Sequence, residues 1–216
     1  MNARYKAAER ENRQPDGILE DVAITNGPYN EPGTAYMFYG NRGSYIEFPN
    51  NGGLDTWFSI TLMCWVQPGG RDSALFSYDV SFTPSGARRH FTEVHMGIER
   101  GKFFIRIDKH RLHQQTGRTI RTPEVLPVGK WVHVAASYDH GSGNNSLYIN
   151  GRLRASHNIG KGYQIPTHTW RVRMGSGSGT QENLKGKIAE MKVYDVALNE
   201  AQIQTSIRQG SCAFPV

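Results

Sequence analysis

The stretch of sequence that decides the fold runs from residue 130 to residue 155 and reads KWVHVAASYDHGSGNNSLYINGRLRA. It contains three short runs of alternating apolar residues, separated by two turn signals. Asn150-Gly151 is the stronger signal, because a type I′ turn requires positive φ at both of its central residues. Residues 141–145, rich in Gly, Ser and Asn, form a looser turn. The stretch therefore predicts a three-stranded antiparallel meander.

Short apolar runs bounded by Gly, Pro and Asn continue on both sides of the meander and predict further strands. These cover residues 18–24, 35–39, 45–48, 58–66, 74–78, 90–98, 102–108, 171–175 and 187–194. A helix of two to three turns follows Asn199, a predicted N-cap with Gln202 three residues on, and Gly210 is its predicted stop. The pattern predicts an all-β fold, a two-sheet antiparallel sandwich closed by a short C-terminal helix.

The run from residue 58 to residue 66 shows the cleanest alternation. Alternation predicts that one face of this strand packs into the core and that Trp65 covers the other face. The predicted core-facing residues are Phe58, Ile60, Leu62, Cys64 and Val66, and the residues of the opposite face are Ser59, Thr61, Met63 and Trp65.

Three pairs of segments resemble laminin-G-like and pentraxin-like domains of the concanavalin-A-like superfamily. They are residues 43–49 with 58–68, residues 131–135 with 147–151, and residues 186–194 with 197–200. The resemblance follows the family's order over roughly residues 18–208. It implies a jelly-roll domain over residues 17–216, preceded by a polar tail or linker at residues 1–16. Because this superfamily supports diverse functions, the fold alone does not give the function.

Composition limits the class of protein. The chain has 216 residues, 38% of them hydrophobic, which suits one globular domain. Its net charge of +6 fits either an anionic partner or ordinary solubilising charge. No apolar run is long enough for a transmembrane segment, and the first residues do not form a signal peptide. The resemblance implies an extracellular or cell-surface domain cut from a larger protein, and a cytosolic protein is the alternative.

A basic cluster is the candidate ligand-binding site. Positively charged residues recur between residues 109 and 121 with no acid among them, and two later pairs each share one strand face. If these side chains converge, they form a surface for sulfated glycans, because guanidinium groups pair with sulfate or carboxylate. Otherwise they are solvated loop and strand residues. The candidates are Lys109, Arg111, His113, Arg118, Arg121, Arg152, Arg154, Arg171 and Arg173.

The resemblance also implies a structural Ca²⁺, an ion that binds several oxygen ligands. Asp21 and Asn26 match the family's early acidic loop, and Glu190 matches its penultimate strand. The family often has Asp-Glu at that strand, whereas this chain has Ala189 before Glu190. Each of these residues could instead be a solvated turn residue.

The two cysteines, Cys64 and Cys212, form either a disulfide or two free thiols, and the extracellular context of the resemblance favours the disulfide. Pentraxins, in contrast, place the partner cysteine in the strand matching residues 131–135, where this chain has none. Asn144-Asn145-Ser146 is a glycosylation sequon, which predicts a sugar on Asn144.

The leading hypothesis is a non-catalytic recognition or adhesion domain that binds a glycan, sulfated glycans included, or an extracellular protein. Glycan hydrolases of this superfamily carry alternating carboxylates on one strand, and neither Glu-x-Asp-x-Glu nor Glu-x-Asp-x-x-Glu occurs here. A glycan-active enzyme, or the carbohydrate-binding accessory domain of one, is the second hypothesis. A purely structural or oligomerising module is the third. No nucleic-acid-binding motif is present, so no nucleic acid partner is predicted.

Overall fold

A computed structural model describes residues 17–50, 54–82, 89–107, 118–162, 164–165, 167, 171–177 and 183–212. These residues form fourteen strands and one helix. The elements are β1 (Ile18–Glu20), β2 (Val22–Thr25), β3 (Ala35–Tyr39), β4 (Tyr45–Phe48), β5 (Ile60–Pro68), β6 (Ser73–Phe82), β7 (Arg89–Glu99), β8 (Lys102–Ile107), β9 (Arg118–Arg121), β10 (Val132–Tyr138), β11 (Asn144–Ile149), β12 (Arg152–Asn158), β13 (Arg171–Met174), β14 (Lys185–Tyr194) and α1 (Glu200–Cys212).

The strands form two antiparallel sheets of seven strands each. Sheet I has the order β1-β4-β13-β6-β7-β8-β9, and sheet II has the order β12-β11-β10-β5-β14-β3-β2. Apolar side chains from the facing surfaces of both sheets form one continuous core. The predicted all-β jelly-roll sandwich with a C-terminal helix is confirmed.

The meander of residues 130–155 is confirmed as β10, β11 and β12 at one side of sheet II. Val134 lies opposite Ile149, and the turn between β11 and β12 has φ of 50° at Asn150 and 73° at Gly151. Both values lie in the left-handed region that a type I′ turn needs. The Asn150 side chain also accepts a hydrogen bond from the His133 backbone N–H at 3.0 Å, which fixes the turn to β10.

The predicted strand at residues 18–24 is wrong, because the chain turns a corner at Asp21. That residue has φ of 43° and separates β1, which joins sheet I, from β2, which joins sheet II. The Ser44 hydroxyl donates a hydrogen bond to the Asp21 carbonyl oxygen at 2.8 Å. A left-handed residue breaks the extended conformation of a strand. The two sheets are therefore linked directly at this corner.

Four of the five residues predicted to face the core from the run at 58–66 are buried between the sheets, namely Ile60, Leu62, Cys64 and Val66. Burying each aliphatic side chain of this size contributes about 1.5–3 kcal/mol. Phe58 is the exception, with 53% of its surface exposed. The strand begins at Ile60, so the period-two rule does not extend back to Phe58.

The helix begins as predicted. The Asn199 side chain accepts a hydrogen bond from the Gln202 N–H at 3.0 Å, and the Gln202 side chain accepts one from the Asn199 N–H at 2.9 Å. These reciprocal bonds form a capping box. The helix continues through Gly210 to Cys212, so the predicted stop is wrong. A Cβ at Gly210 would clash with the Glu190 carboxylate, so glycine allows close approach here.

The helix also explains why the predicted disulfide does not form at Cys64, which is a free and buried cysteine. Ile203 of α1 packs against Met63 on the outer face of sheet II. Cys64, the next residue in β5, belongs to the core between the sheets. Successive side chains of a strand point to opposite faces, so Cys64 points away from the helix that ends at Cys212. The Cys212 side chain itself lies outside the described residues.

Candidate functional site: an arginine-rich edge of the sandwich

The last strands of the two sheets lie together along one side of the sandwich. β9 ends sheet I, β12 ends sheet II, and residues of the two strands are close neighbours. We call the exposed basic side chains of these two strands the arginine edge. Its members are Arg118, Arg121, Arg152 and Arg154. The structure thus brings four of the nine predicted ligand-binding residues to two neighbouring edge strands, although they come from two distant parts of the sequence.

No strand was predicted from the sequence at residues 118–121, where the structure has β9. β9 pairs with β8, so that Arg121 lies opposite Phe104 and Arg118 lies opposite Ile107. Ile120 is buried in the core between the exposed arginines. This apolar residue within a basic tetrapeptide is the sequence signal that could have identified an edge strand.

A β-bulge shapes the other half of the arginine edge. Leu147 of β11 lies opposite Ala155, whereas its neighbour Tyr148 lies opposite Leu153, which leaves Arg154 as the extra residue of β12. Bulges of this kind redirect a side chain and increase the local twist of a strand. The Arg154 Nε atom lies 3.1 Å from Oε1 of Glu124, in the segment that follows β9. This ion pair connects the edges of the two sheets.

A second glutamate holds another arginine of the edge. Arg121 donates from Nε to Oε2 of Glu99, the last residue of β7. The hydrogen bond from Arg121, together with the charges of Arg121, Arg100 and Arg106, lowers the pKa of the Glu99 carboxyl. Neither Glu99 nor Glu124 was predicted from the sequence as a partner of the arginines. They are brought to the arginines by the arrangement of the strands and not by nearness in the sequence. With the other described residues, Arg118 and Arg152 form no ion pair.

The remaining basic candidates do not belong to the arginine edge as the structure describes it. Arg173 lies on β13, inside sheet I, and donates from Nε and Nη2 to Glu47 at 2.9 and 2.8 Å. Its guanidinium group also lies 4.4 Å from the centre of the Tyr45 ring. Lys109, Arg111 and His113, and the side chain of Arg171, lie outside the described residues.

The three residues predicted to bind calcium come from different parts of the fold, namely the corner between β1 and β2, the end of β2, and β14. Asp21 precedes β2 and Asn26 follows it, so a whole strand separates them. Oδ2 of Asp21 accepts a hydrogen bond from Asn41 at 2.6 Å, and Glu190 forms an ion pair with Lys192 at 3.4 Å. Within the described ranges, no group of three His, Cys, Asp or Glu residues could hold a metal ion. The predicted calcium site stays a prediction, without support from this arrangement.

The sequon residue Asn144 is exposed at the first position of β11. Its side-chain oxygen accepts a hydrogen bond from Asn158 at 3.0 Å. A sugar on Asn144 would break this hydrogen bond only if the amide rotated, because glycosylation modifies the nitrogen and not the oxygen. Glycosylation stays a prediction. No helix among the described residues has the length and apolar character needed to cross a membrane.

Comparison with known proteins identifies the family. Residues 40–204 match the Laminin_G_3 family of the concanavalin A-like lectin/glucanases superfamily, and this chain belongs to that family. The chain is also 26% identical over 188 residues to Pappalysin-1 of Mus musculus, a match that covers 80% of this chain and 11% of that protein. The chain thus spans about one tenth of that relative's length.

Solved structures share the fold at low sequence identity. The binding domain of Paraclostridial Mosquitocidal Protein 1 has a TM-score of 0.70 and 15% identity, over 93% of this chain and 48% of that one. The heptameric SAP-like pentraxin of Limulus polyphemus has a TM-score of 0.59 and 19% identity, over 85% and 79% of the two chains. The binding domain of botulinum neurotoxin serotype G has a TM-score of 0.65 and 12% identity, over 91% and 47%. At these identities the likeness shows the fold alone.

Proposed function

We propose that this chain is a non-catalytic recognition domain that binds a sulfated or otherwise anionic glycan along the arginine edge. The observation that supports the proposal is that β9 and β12, the last strands of the two sheets, are neighbours and carry four exposed arginines. Their only ion-pair partners among the described residues are Glu99 and Glu124. Glu200 also lies at β12, where its carboxylate accepts a hydrogen bond from the Leu153 N–H at 2.9 Å. Four positive and three negative charges leave the edge basic.

The arginines of this edge are of two kinds: two are held by a glutamate, and two have no acidic partner among the described residues. Glu99 and Glu124 hold Arg121 and Arg154, which reduces the side-chain entropy lost when an anion binds. Arg118 and Arg152 are exposed and have no acidic partner in the described parts of the chain. A guanidinium group donates two parallel hydrogen bonds to a sulfate or carboxylate. The edge therefore combines two positioned arginines with two arginines available to a ligand.

The shape of the edge favours an extended ligand. β12 has seven residues, of which six are exposed along the strand. At about 3.3 Å per residue, a strand of this length presents an edge of roughly 20 Å. An edge of this length can contact several consecutive sugars of a linear glycan, whereas a small anion would use only one arginine.

Two further points support a binding role outside the cell. Two of the solved structures with this fold are named as binding domains, and laminin-G-like domains, which this chain resembles, sit in extracellular chains. We infer that the chain is one extracellular module of a larger protein and that its action is complementarity without covalent chemistry. A protein partner with an acidic surface is the alternative ligand for the same edge.

Heparin-affinity chromatography tests the proposal. The purified chain is eluted with a NaCl gradient, once with Ca²⁺ and once with a chelator, beside the double variant Arg118→Gln/Arg152→Gln. The matched control is Arg42→Gln/Arg208→Gln, which removes the same charge from the exposed β3–β4 turn and from the exposed surface of α1. Each contact between an arginine and an anionic group of the ligand adds to the salt dependence of binding. The edge variant should therefore elute at clearly lower salt than the control.

Three outcomes contradict the proposal. Equal elution of the edge variant and the control would show that net charge and not the edge binds heparin. Flow-through of the wild-type chain would exclude a sulfated glycan of this kind and favour the protein partner. Retention that needs Ca²⁺ would move the site to acidic residues.

A further inference from the structure

The connection between β9 and β10 exposes apolar side chains at one end of the sandwich. Val125 is 49% exposed and Val128 is 53% exposed, and the nearby Pro123 and Pro127 are exposed as well. We call these four residues the apolar tip. Single exposed apolar residues are ordinary on a protein surface, but four within a stretch of six residues depart from that pattern and indicate an interaction surface.

The fold holds the apolar tip in place from beneath. Leu126, in the same stretch, is only 3% exposed and belongs to the core between the sheets. Its N–H donates a hydrogen bond to the Gly101 carbonyl at 2.8 Å. The Gly129 N–H donates one to the Pro68 carbonyl at 2.7 Å. The tip is therefore presented by a preformed connection, and a partner would not have to order it on binding.

Two turns lie next to the apolar tip at the same end of the sandwich. A Cβ at Gly101, in the β7–β8 turn, would lie 2.6 Å from Cγ1 of Val125, so these two residues are neighbours. The Gly101 N–H donates a hydrogen bond to the Arg71 carbonyl at 2.7 Å. The Arg100 N–H donates one to Oδ1 of Asp72, also at 2.7 Å. These two bonds join the β7–β8 turn to the β5–β6 turn, so the tip and both turns are adjacent.

Basic residues of these three segments have no ion-pair partner among the described residues. We call them the tip cations, and they are Arg71, Arg100, Lys102 and Lys130. Lys102 is partly exposed and the other three are exposed. None of them belongs to the arginine edge. The apolar tip therefore lies beside positive charges that are available to a partner.

The carboxylates of the same three segments are already engaged. Glu99 accepts a hydrogen bond from Arg121, and Glu124 forms an ion pair with Arg154. Asp72 accepts its hydrogen bond from a backbone N–H of the β7–β8 turn, so it keeps its negative charge without a cationic partner in the described parts of the chain. Four tip cations and one such carboxylate leave a positive surface beside the apolar tip.

Apolar side chains beside unpaired cations suit the surface of an anionic lipid bilayer. In such a contact the apolar side chains enter the boundary between headgroups and acyl chains, while Lys and Arg attract the anionic headgroups. A linear polyanion would use the cations but not the valines. A stable protein–protein interface buries at least about 1,000 Å² around an apolar centre, and two valines and two prolines provide only a small centre.

We propose that the apolar tip and the tip cations form a docking surface for an anionic lipid bilayer. Val125 and Val128 enter the interface of the bilayer, and the four tip cations contact anionic headgroups around them. This surface uses none of the four arginines of the arginine edge. The inference goes beyond the function proposed above and does not rest on it.

Sedimentation with lipid vesicles tests the docking surface. The probes are vesicles of phosphatidylcholine alone and vesicles of phosphatidylcholine with phosphatidylserine. The wild-type chain should sediment with the vesicles that contain phosphatidylserine and stay in solution with the others. Val125→Ser/Val128→Ser should weaken binding by roughly tenfold or more, because binding strength scales with the apolar area buried in the bilayer.

A matched pair of single variants controls for the loss of a valine. Val196 is as exposed as Val125, and it follows β14 at the opposite end of the sandwich from the Lys185 carbonyl, which accepts a hydrogen bond from Gly69 of the β5–β6 turn. Val196→Ser should bind like the wild type, whereas Val128→Ser should bind several-fold more weakly. Thermal melting of each variant by circular dichroism checks that the fold is retained.

A second pair of variants tests the charges. Arg100→Gln/Lys130→Gln should weaken binding by roughly tenfold at low salt, and this difference should shrink as NaCl screens the headgroups. The matched control is Lys161→Gln/Arg208→Gln, which removes the same charge from exposed positions outside these segments. The control should sediment like the wild type.

Three results would overturn the docking surface. One is that the wild-type chain stays in solution with phosphatidylserine vesicles. Another is equal sedimentation of the wild type and Val125→Ser/Val128→Ser. The third is a concentration-dependent dimer in size-exclusion chromatography that this serine variant abolishes, because the apolar tip would then be an interface between two copies of the chain.

The docking surface and the arginine edge can fail separately. The serine variant keeps every charge, so its elution from heparin should equal that of the wild type. Arg118→Gln/Arg152→Gln should sediment with phosphatidylserine vesicles as well as the control Lys161→Gln/Arg208→Gln does. Loss of vesicle binding with intact heparin retention would therefore contradict only the docking surface, and the reverse would contradict only the arginine edge.

Discussion

The two sheets present very different outer faces. On sheet II, Met63, Ala135 and Tyr148 lie side by side on adjacent strands and are covered by Ile203 of the helix. On sheet I, polar residues lie in one row across six strands, and helix α1 covers none of them. The row consists of Glu47, Arg173, Ser77, His95, Arg106 and Thr119. Strand alternation thus gives sheet II an apolar outer face, which the helix covers, and sheet I a polar outer face.

Each outer face nevertheless buries one neutral histidine. Burial lowers the pKa of His133 on sheet II to about 3, with a further contribution from Lys192. Burial lowers the pKa of His95 on sheet I to about 4, where Arg106 adds to the effect and Glu99 opposes it. The two outer faces therefore differ in polarity, but each contains a buried histidine whose protonation at low pH should destabilise the folded chain.

The largest expected effect concerns the helix-covered face. Ile203→Ala should lower the free energy of unfolding by about 2–5 kcal/mol, because it removes the side chain that fills the space between the helix and sheet II. Urea unfolding followed by tryptophan fluorescence measures this change. Val196→Ala, at an exposed position, is the control and should change stability by less than about 0.5 kcal/mol. Similar stability of the two variants would mean that the helix is not needed to cover this face.

The second prediction concerns acid and involves both faces. The unfolded chain binds protons to these histidines near pH 6.5, whereas the folded chain does so only at about pH 3 for His133 and about pH 4 for His95. The stability that these histidines contribute is therefore fully present above pH 6.5 and is lost as the pH falls below that value. Each histidine lowers the equilibrium constant for folding by about tenfold per pH unit.

Urea midpoints between pH 7.5 and 5, above the range in which carboxylates titrate, measure this loss. His133→Gln should roughly halve the slope of stability against pH that these two histidines produce, because His95 alone of the pair then remains. An unchanged slope would show that His133 can be protonated in the folded chain and would remove the similarity between the two faces.

The smallest effect is expected on the polar face. Arg173→Gln removes the hydrogen bonds to Glu47 and the contact with the Tyr45 ring. Because both charged side chains are partly exposed, the loss should be about 1 kcal/mol. A double-mutant cycle with Glu47→Gln in the same urea assay isolates the pair. A loss as large as that of Ile203→Ala would overturn the contrast between the two faces.

Much of the fold follows from local sequence. The Asn150-Gly151 turn, the core alternation from Ile60 to Val66 and the capping box at Asn199 each depend on residues close together in the chain. The wrong predictions lie where contacts with distant residues override the local sequence pattern. Asp21 adopts a left-handed conformation at a corner that Ser44 stabilises, and Phe58 continues the alternation in sequence although β5 begins only at Ile60.

The candidate site was less predictable than the fold. The arginines of residues 118–121 and 152–154 were identified by composition, but their meeting depends on the order of strands in two sheets. Arg173 belonged to the same sequence pattern and lies inside sheet I, where Glu47 binds it. Glu99 and Glu124 carried no local signal at all. The spacing of residues in the sequence predicts which face of a strand a side chain lies on. It does not predict which strands lie next to that strand.

The free thiol of Cys64 provides a marker for one particular motion of the chain. It lies in the core between the two sheets, and burial raises its pKa, so it is both inaccessible and unreactive in the native state. Undocking of the helix uncovers Met63 but leaves Cys64 on the far side of the sheet. A thiol reagent that labels Cys64 therefore reports separation of the sheets, and its rate distinguishes local opening of the surface from global unfolding.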